Sequence, residues 1–159
     1  MKAASIRDIK KELSSHTNQE LQELCLRLGR FKKENKELLT YLLFDSFDED
    51  SYVASIKNYM DESFETINTA SFFYIRKSVR KILRNVKKFI RYSPKKETEV
   101  ELLLYFCEKL RDFKPSIKRS SQLRNSYNRQ LVLAKKVLQD LHEDLQFEFE
   151  EKLEDLSPL

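Results

Sequence analysis

Apolar residues recur along this chain at three- and four-residue intervals almost from end to end, and such intervals predict a succession of amphipathic helices. Ser5 can cap a short first helix with Ile6, Ile9 and Leu13 on one face. Thr17-Asn18-Gln19-Glu20 has the form of a capping box, in which threonine and glutamate satisfy exposed backbone donors reciprocally. It opens a second helix carrying Leu21, Leu24, Cys25, Leu28 and Phe31. A break is expected at Glu34-Asn35, then a short, well-buried third helix with Leu38, Leu39 and the run 41–44.

Acidic residues around Asp48 suit the N-terminus of the next helix, where carboxylates complement the macrodipole. That helix carries Tyr52, Ile56, Tyr59, Met60, Phe64 and Ile67. A further one over about 70–92 has Ile75, Val79, Ile82, Leu83, Val86, Phe89 and Ile90 inward, and Ser93-Pro94 stops it. From Thr98 the inward set is Val100, Leu103, Leu104, Cys107, Leu110 and Phe113, and Lys114-Pro115-Ser116 breaks again. The last segment reads as one long helix over about 118–156. Leu131, Leu138, Leu141, Leu145 and Phe149 lie on its seam, which is heptad-like up to Leu145 and then slips as a stutter would.

These elements predict a single all-α domain over residues 1–159, with six or seven helices in an irregular bundle or α-solenoid-like array. Composition narrows the picture. The chain has one glycine, Gly29, and three prolines. Hairpins, phosphate loops and strained catalytic turns need glycine, so dinucleotide, phosphate-loop and nucleophile-elbow motifs are excluded. The longest apolar run is far short of the roughly twenty residues of a membrane span. The N-terminal stretch lacks the apolar segment of a signal peptide. Two isolated cysteines, Cys25 and Cys107, both placed on apolar stripes as core thiols, suit a reducing compartment; a cytoplasmic location is expected.

Candidate chemistry is sparse. His142-Glu143 begins like a zinc-protease helix, but Gln146 stands where the second histidine is required. His16 reads as a turn residue. Asp45, Asp48, Glu49 and Asp50 lack the spacing and glycine of a calcium loop, and read as helix caps. No Glu-x-x-His pair of a bundle di-metal site is present. The expectation is no enzyme, no metal and no cofactor.

Charge is the feature that stands out. Residues 41–65 carry −6 and residues 140–159 carry −7, whereas residues 66–96 carry +10 and contain no acid. In the basic block Arg76, Lys77, Arg80, Lys81, Arg84, Lys87, Lys88 and Arg91 surround an apolar stripe flanked by Phe72, Phe73, Tyr74 and Tyr92. Such a face either pairs with the acidic helices of its own fold or meets an acidic partner, a phosphate backbone or an anionic membrane surface.

Two functions are therefore expected. The leading one is a non-enzymatic helical scaffold or adaptor that binds another protein and self-associates as a homodimer through the C-terminal helix, using the seam named above. The alternative is a nucleic-acid-binding module using the basic helix 74–96, helped by Lys114, Lys118, Arg119, Arg124 and Arg129.

The stretches Lys11-Glu12-Leu13-Ser14 through Glu34-Asn35-Lys36-Glu37-Leu38-Leu39, and Ile75-Arg76-Lys77-Ser78-Val79-Arg80-Lys81-Ile82 through Glu99-Val100-Glu101-Leu102-Leu103, resemble uncharacterised all-helical bacterial proteins. The resemblance covers most of the chain. It implies a small cytoplasmic protein with no assigned activity and supplies no functional residues.

Overall fold

The computed structural model describes residues 1–159, and the chain folds into eight α-helices with no strand. The all-α class is as expected, with one helix more than the upper count. The chain comprises two compact units, Met1–Phe44 and Asp45–Leu159.

The first unit begins with α1 (Ile6–Leu13), capped by Ser5 Oγ, which accepts from the Asp8 amide at 3.2 Å. The capping box forms: the Glu20 amide donates to Thr17 Oγ1 and the Thr17 amide donates to Glu20 Oε2 at 2.7 Å. It opens α2 (Asn18–Phe31). The chain turns at the extended Lys32, earlier than the expected Glu34-Asn35, and α3 (Lys33–Thr40) follows. Asn35 lies inside α3, and its side-chain amide donates back to the Leu28 carbonyl at 2.8 Å, tying the two helices together. Gly29 is buried at their contact, where a Cβ would stand 2.9 Å from Leu39 Cδ1. A π-helical turn, Tyr41–Asp45, continues α3.

The third helix is not the well-buried element expected. Tyr41 is buried, but Leu42, Leu43 and Phe44 are exposed. Successive helical residues point about 100° apart, so with Tyr41 inward the other three side chains of this run turn to uncovered sides. Cys25, expected in the core, is exposed as well.

The second unit is built around α6 (Lys96–Asp112), which packs against α4 (Glu49–Glu65), α5 (Phe72–Ile90), α7 (Ser121–Leu138) and α8 (Glu143–Asp155). Neighbours on several sides require apolar residues all round, and α6 has them: Val100, Leu102, Leu103, Leu104, Phe106, Cys107 and Leu110 are all buried. Polar links fix its orientation. Tyr105 Oη donates to Asp61 at 2.7 Å, and Lys109 Nζ lies 2.8 Å from the same carboxylate. Lys57 pairs with Glu101 one turn away. Burial pushes the Asp61 carboxyl up, but the hydrogen bonds from Lys109 and Tyr105 outweigh it and hold the group below the usual carboxylate range. Burial and the bond to Asp61 push the Tyr105 phenol up to about 12.

The long C-terminal helix does not form. The chain breaks at residues 139–142, and His142 caps α8, its Nδ1 accepting from the Asp144 amide at 3.3 Å. With Glu143 and Asp144 in the first turn, a new helix start there is favourable. The break lets α8 fold back: Arg111 holds Asp155, and the Tyr127 hydroxyl donates to the Ser157 carbonyl at 3.1 Å. Leu131, Leu138 and Phe149 are consequently buried, with Leu141 and Leu145 half-buried. Leu131, Leu138 and Phe149 of the seam thus pack within the second unit. No helix is long and apolar enough to cross a membrane.

Candidate nucleic-acid interface

In α5 the apolar and cationic residues are completely sorted. At about 100° per residue, Ile75, Val79, Ile82, Leu83, Val86, Phe89 and Ile90 fall within one arc. Arg76, Lys77, Arg80, Lys81, Arg84, Lys87, Lys88 and Arg91 occupy a second arc of about 140° on the opposite side. The first arc is the buried one, led by Ile75, Val79, Ile82, Val86 and Ile90. Burying that stripe against the rest of the unit is what orients the cations outward. Lys77, Arg80, Lys81, Arg84, Lys87 and Arg91 are exposed, and Arg76 and Lys88 are half-buried.

The ion pairs of the acidic helices run mostly away from this face. The carboxylates of α4 and α6 pair with each other's lysines, as Lys57–Glu101 and Asp61–Lys109. Those of the C-terminal region pair with Lys96 and Arg111. None of these ion pairs reaches Arg76, Lys77, Arg80, Lys81, Arg84, Lys87 or Arg91. Several of these cations sit four residues apart, as Arg76, Arg80 and Arg84 do. Like charges at that spacing repel by a few tenths of a kcal/mol per pair. The helix tolerates this because its other face is packed.

Grooves run along both edges of the basic arc. One of about 470 Å³ lies between α5, α6 and α7, lined by Arg80, Arg84, Lys87 and Arg91 with apolar Leu103 and Leu133 at its floor. Glu99 is the carboxylate on its rim. A second, of about 650 Å³, is lined by Lys77, Arg80, Lys81 and Arg84 and ends at Phe73 and Tyr74. These two rings meet edge to face at 5.5 Å and are 58% and 47% exposed. Exposed aromatic faces beside cations form the pairing of base stacking with phosphate contact seen in single-strand binders.

α7 adds a polar edge. Gln122 and Ser126 line a small cleft with Arg76 and Arg80, and Leu133 lines the first groove. Arg129 and Lys136 lie on that same edge by helical spacing and are exposed. Arg129 is thus beside the basic arc as expected, and Lys136 is a contributor the sequence reading missed, although its seven-residue offset from Arg129 was visible. Arg119 sits over the Phe72 ring at 6.0 Å, next to the start of α5. Arg124 is on the far edge of α7 by the same spacing.

Elsewhere, chemistry-bearing groups stay apart. No three His, Cys, Asp or Glu side chains are placed to hold a metal ion. Cys107 is buried, and burial pushes its thiol up to about 12, leaving it unreactive. No protein-family model, no curated protein and no solved structure matches the chain, so no outside protein supplies residue roles.

Proposed function

We propose that this protein is a nucleic-acid-binding module whose α5 face contacts the phosphate backbone. One observation carries the reading: seven cations in a single arc, free of any ion pair to the chain's own carboxylates, next to an exposed aromatic pair. Neutralising phosphates with such a face releases condensed counterions, which yields affinity with little base selectivity. At 1.5 Å per residue, the 19-residue helix presents its charge over about 28 Å. That length suits several successive phosphates.

The test is fluorescence anisotropy with labelled random-sequence duplex DNA, single-stranded DNA and RNA at low and physiological salt. If six phosphates are neutralised, affinity falls roughly 1,000-fold between about 50 and 200 mM salt. Arg80→Glu, Arg84→Glu and Lys88→Glu together abolish binding. Phe73→Ala weakens single strands by about 1–3 kcal/mol and leaves duplex affinity unchanged. Unchanged affinity in the triple variant would remove α5 as the site. Equal binding to anionic vesicles would reassign the face to a membrane surface.

A second reading, the protein-binding scaffold, draws support from a different place than the C-terminal seam: the exposed apolar side chains of the first unit.

A further inference from the structure

The geometry points to a site for a dianionic phosphate group in the cleft between α5 and α7, formed by Arg76, Arg80, Gln122 and Ser126. The walls of this cleft come from two long stretches of the chain that contain no Asp or Glu, residues 66–96 and 113–139. Both helices rest on α6, which holds these two acid-free segments within the same unit. Arg76 and Arg80 lie four residues apart on α5, and Gln122 and Ser126 four apart on α7. Each pair therefore shares one helix face, with Cβ atoms about 5–6 Å apart. Val79 and Leu123 complete the lining. Further along the same helices the first groove includes Glu99, a carboxylate that offsets its cations. The small cleft has no acid in its lining, so an anion between the two helices meets attraction only.

Every polar side chain of the cleft is able to donate: two guanidinium forks, an amide and a hydroxyl. The side chains of Arg76, Gln122 and Ser126 take part in no hydrogen bond or ion pair within the chain. Arg80 Nε donates to the Arg76 carbonyl at 3.3 Å, which draws its guanidinium back along α5 toward Arg76. The two guanidiniums match the charge of about −1.5 to −2 that a phosphate monoester carries at pH 7. Its three terminal oxygens accept bidentate bonds from arginine, with acceptor capacity left for the amide and the hydroxyl. A backbone diester has one charge and fewer free oxygens, and leaves part of this donor set unused. At about 230 Å³ the cleft is smaller than the roughly 300–1,000 Å³ of sites that enclose drug-sized ligands, so it suits the phosphate group with the rest of its molecule outside. The terminal phosphate of a strand, a mononucleotide and inorganic phosphate all present this chemistry. Only the strand end rests on the nucleic-acid reading, since its remaining phosphates would follow the α5 arc.

The experiment measures the full chain by fluorescence anisotropy against single strands labelled at one end and bearing phosphate or hydroxyl at the other. The hydroxyl strand is one nucleotide longer, so both hold the same number of phosphates, and 5′ and 3′ ends are tested separately. Calorimetric titration with a mononucleotide and with inorganic phosphate, at ionic strength held by chloride, covers the small sources. A phosphorylated end that binds at least about tenfold tighter, the worth of one charge-assisted hydrogen bond, identifies a strand end as the ligand. Saturable one-to-one heat without that preference identifies a small phosphate compound. Gln122→Glu with Ser126→Asp sets two carboxylates in the cleft and should abolish whichever signal is seen. Lys135→Glu makes the same change of charge on the opposite side of α7 and should preserve it. If the double variant loses helicity by circular dichroism, Gln122→Glu alone decides, because a carboxylate in the opening turn of α7 favours the helix. No end preference together with no heat from either small phosphate overturns the inference. So does a signal that survives the substitutions in the cleft. Phosphate heat with no strand binding at all would remove the α5 reading and leave this site standing.

Discussion

The two units of this chain use the same kinds of residue and reach opposite states. In the second unit α6 is covered on several sides, and its apolar residues from Val100 to Leu110 are essentially removed from water. In the first, α1 and α2 carry stripes of equal regularity, yet Ile6, Ile9, Leu13, Leu24, Leu28 and Phe31 remain exposed. Amphipathic periodicity thus guarantees a helix with an apolar face. Whether that face is covered by the same chain depends on how many neighbours the topology supplies. Four helices supply enough around α6; a single short hairpin does not around α2.

Substitutions break or sharpen this contrast. The largest effect is expected at the centre of the second unit. Leu103→Ala should cost about 2–5 kcal/mol, because it removes packed atoms and leaves a cavity. Leu28→Ala at dilution should stay within about 0.5 kcal/mol, as for an exposed site. Urea denaturation of both variants measures the gap. A comparable loss at Leu28 would show that the first unit buries this stripe in solution.

An intermediate effect is expected at Asp61, whose carboxyl bridges Tyr105 and Lys109. About a third of the Asp61 side chain faces water, so solvent screening limits Asp61→Asn to about 1 kcal/mol at neutral pH. The sign with pH follows from the lowered value. The stabilisation is fully present above the ordinary aspartate pKa of about 3.9 and is lost as pH falls through the lower folded-state value. Wild type and Asp61→Asn should therefore converge in acid melts. A gap that persisted at the acid end would mean the loss arises from packing.

The smallest effect is expected at Gly29→Ala. Replacing glycine inside a helix gains up to about 1 kcal/mol, while the new Cβ must displace the tip of Leu39, which costs about 0.5–1.5 kcal/mol. The near-cancellation should leave Tm within a few degrees of wild type. A loss of several kcal/mol would mean that the α2–α3 contact is as rigid as the core around α6.

Much of the fold was legible because it rests on local rules. Thr17 with Glu20, and Asp48 before Ser51, formed the caps that their side chains allow. The sorting of α5 was visible because cations and aliphatics obey one 3.6-residue period over five turns. What stayed hidden depends on partners distant in sequence. The charge blocks gave no sign that Glu101 and Asp61 would be engaged by Lys57 and Lys109, and not by Arg80, Arg84 or Lys87 of α5. The break between α7 and α8 was obscured because Leu131, Leu138 and Leu145 keep their spacing across it. Its local sign was the acidic first turn at Glu143 and Asp144 behind a residue able to cap. The apolar run 41–44 looked like core because hydrophobicity alone does not report what lies opposite.

No residue in this protein adopts a positive φ, and Gly29 itself sits in regular helix, present for space and not for backbone freedom. Every turn is therefore built in backbone regions open to ordinary L residues. The consequence lies in the unfolded state. A chain almost without glycine samples fewer backbone conformations when denatured, so it loses less entropy on folding than a glycine-rich chain of equal length. That saving matters most where burial is least, in the first 44 residues.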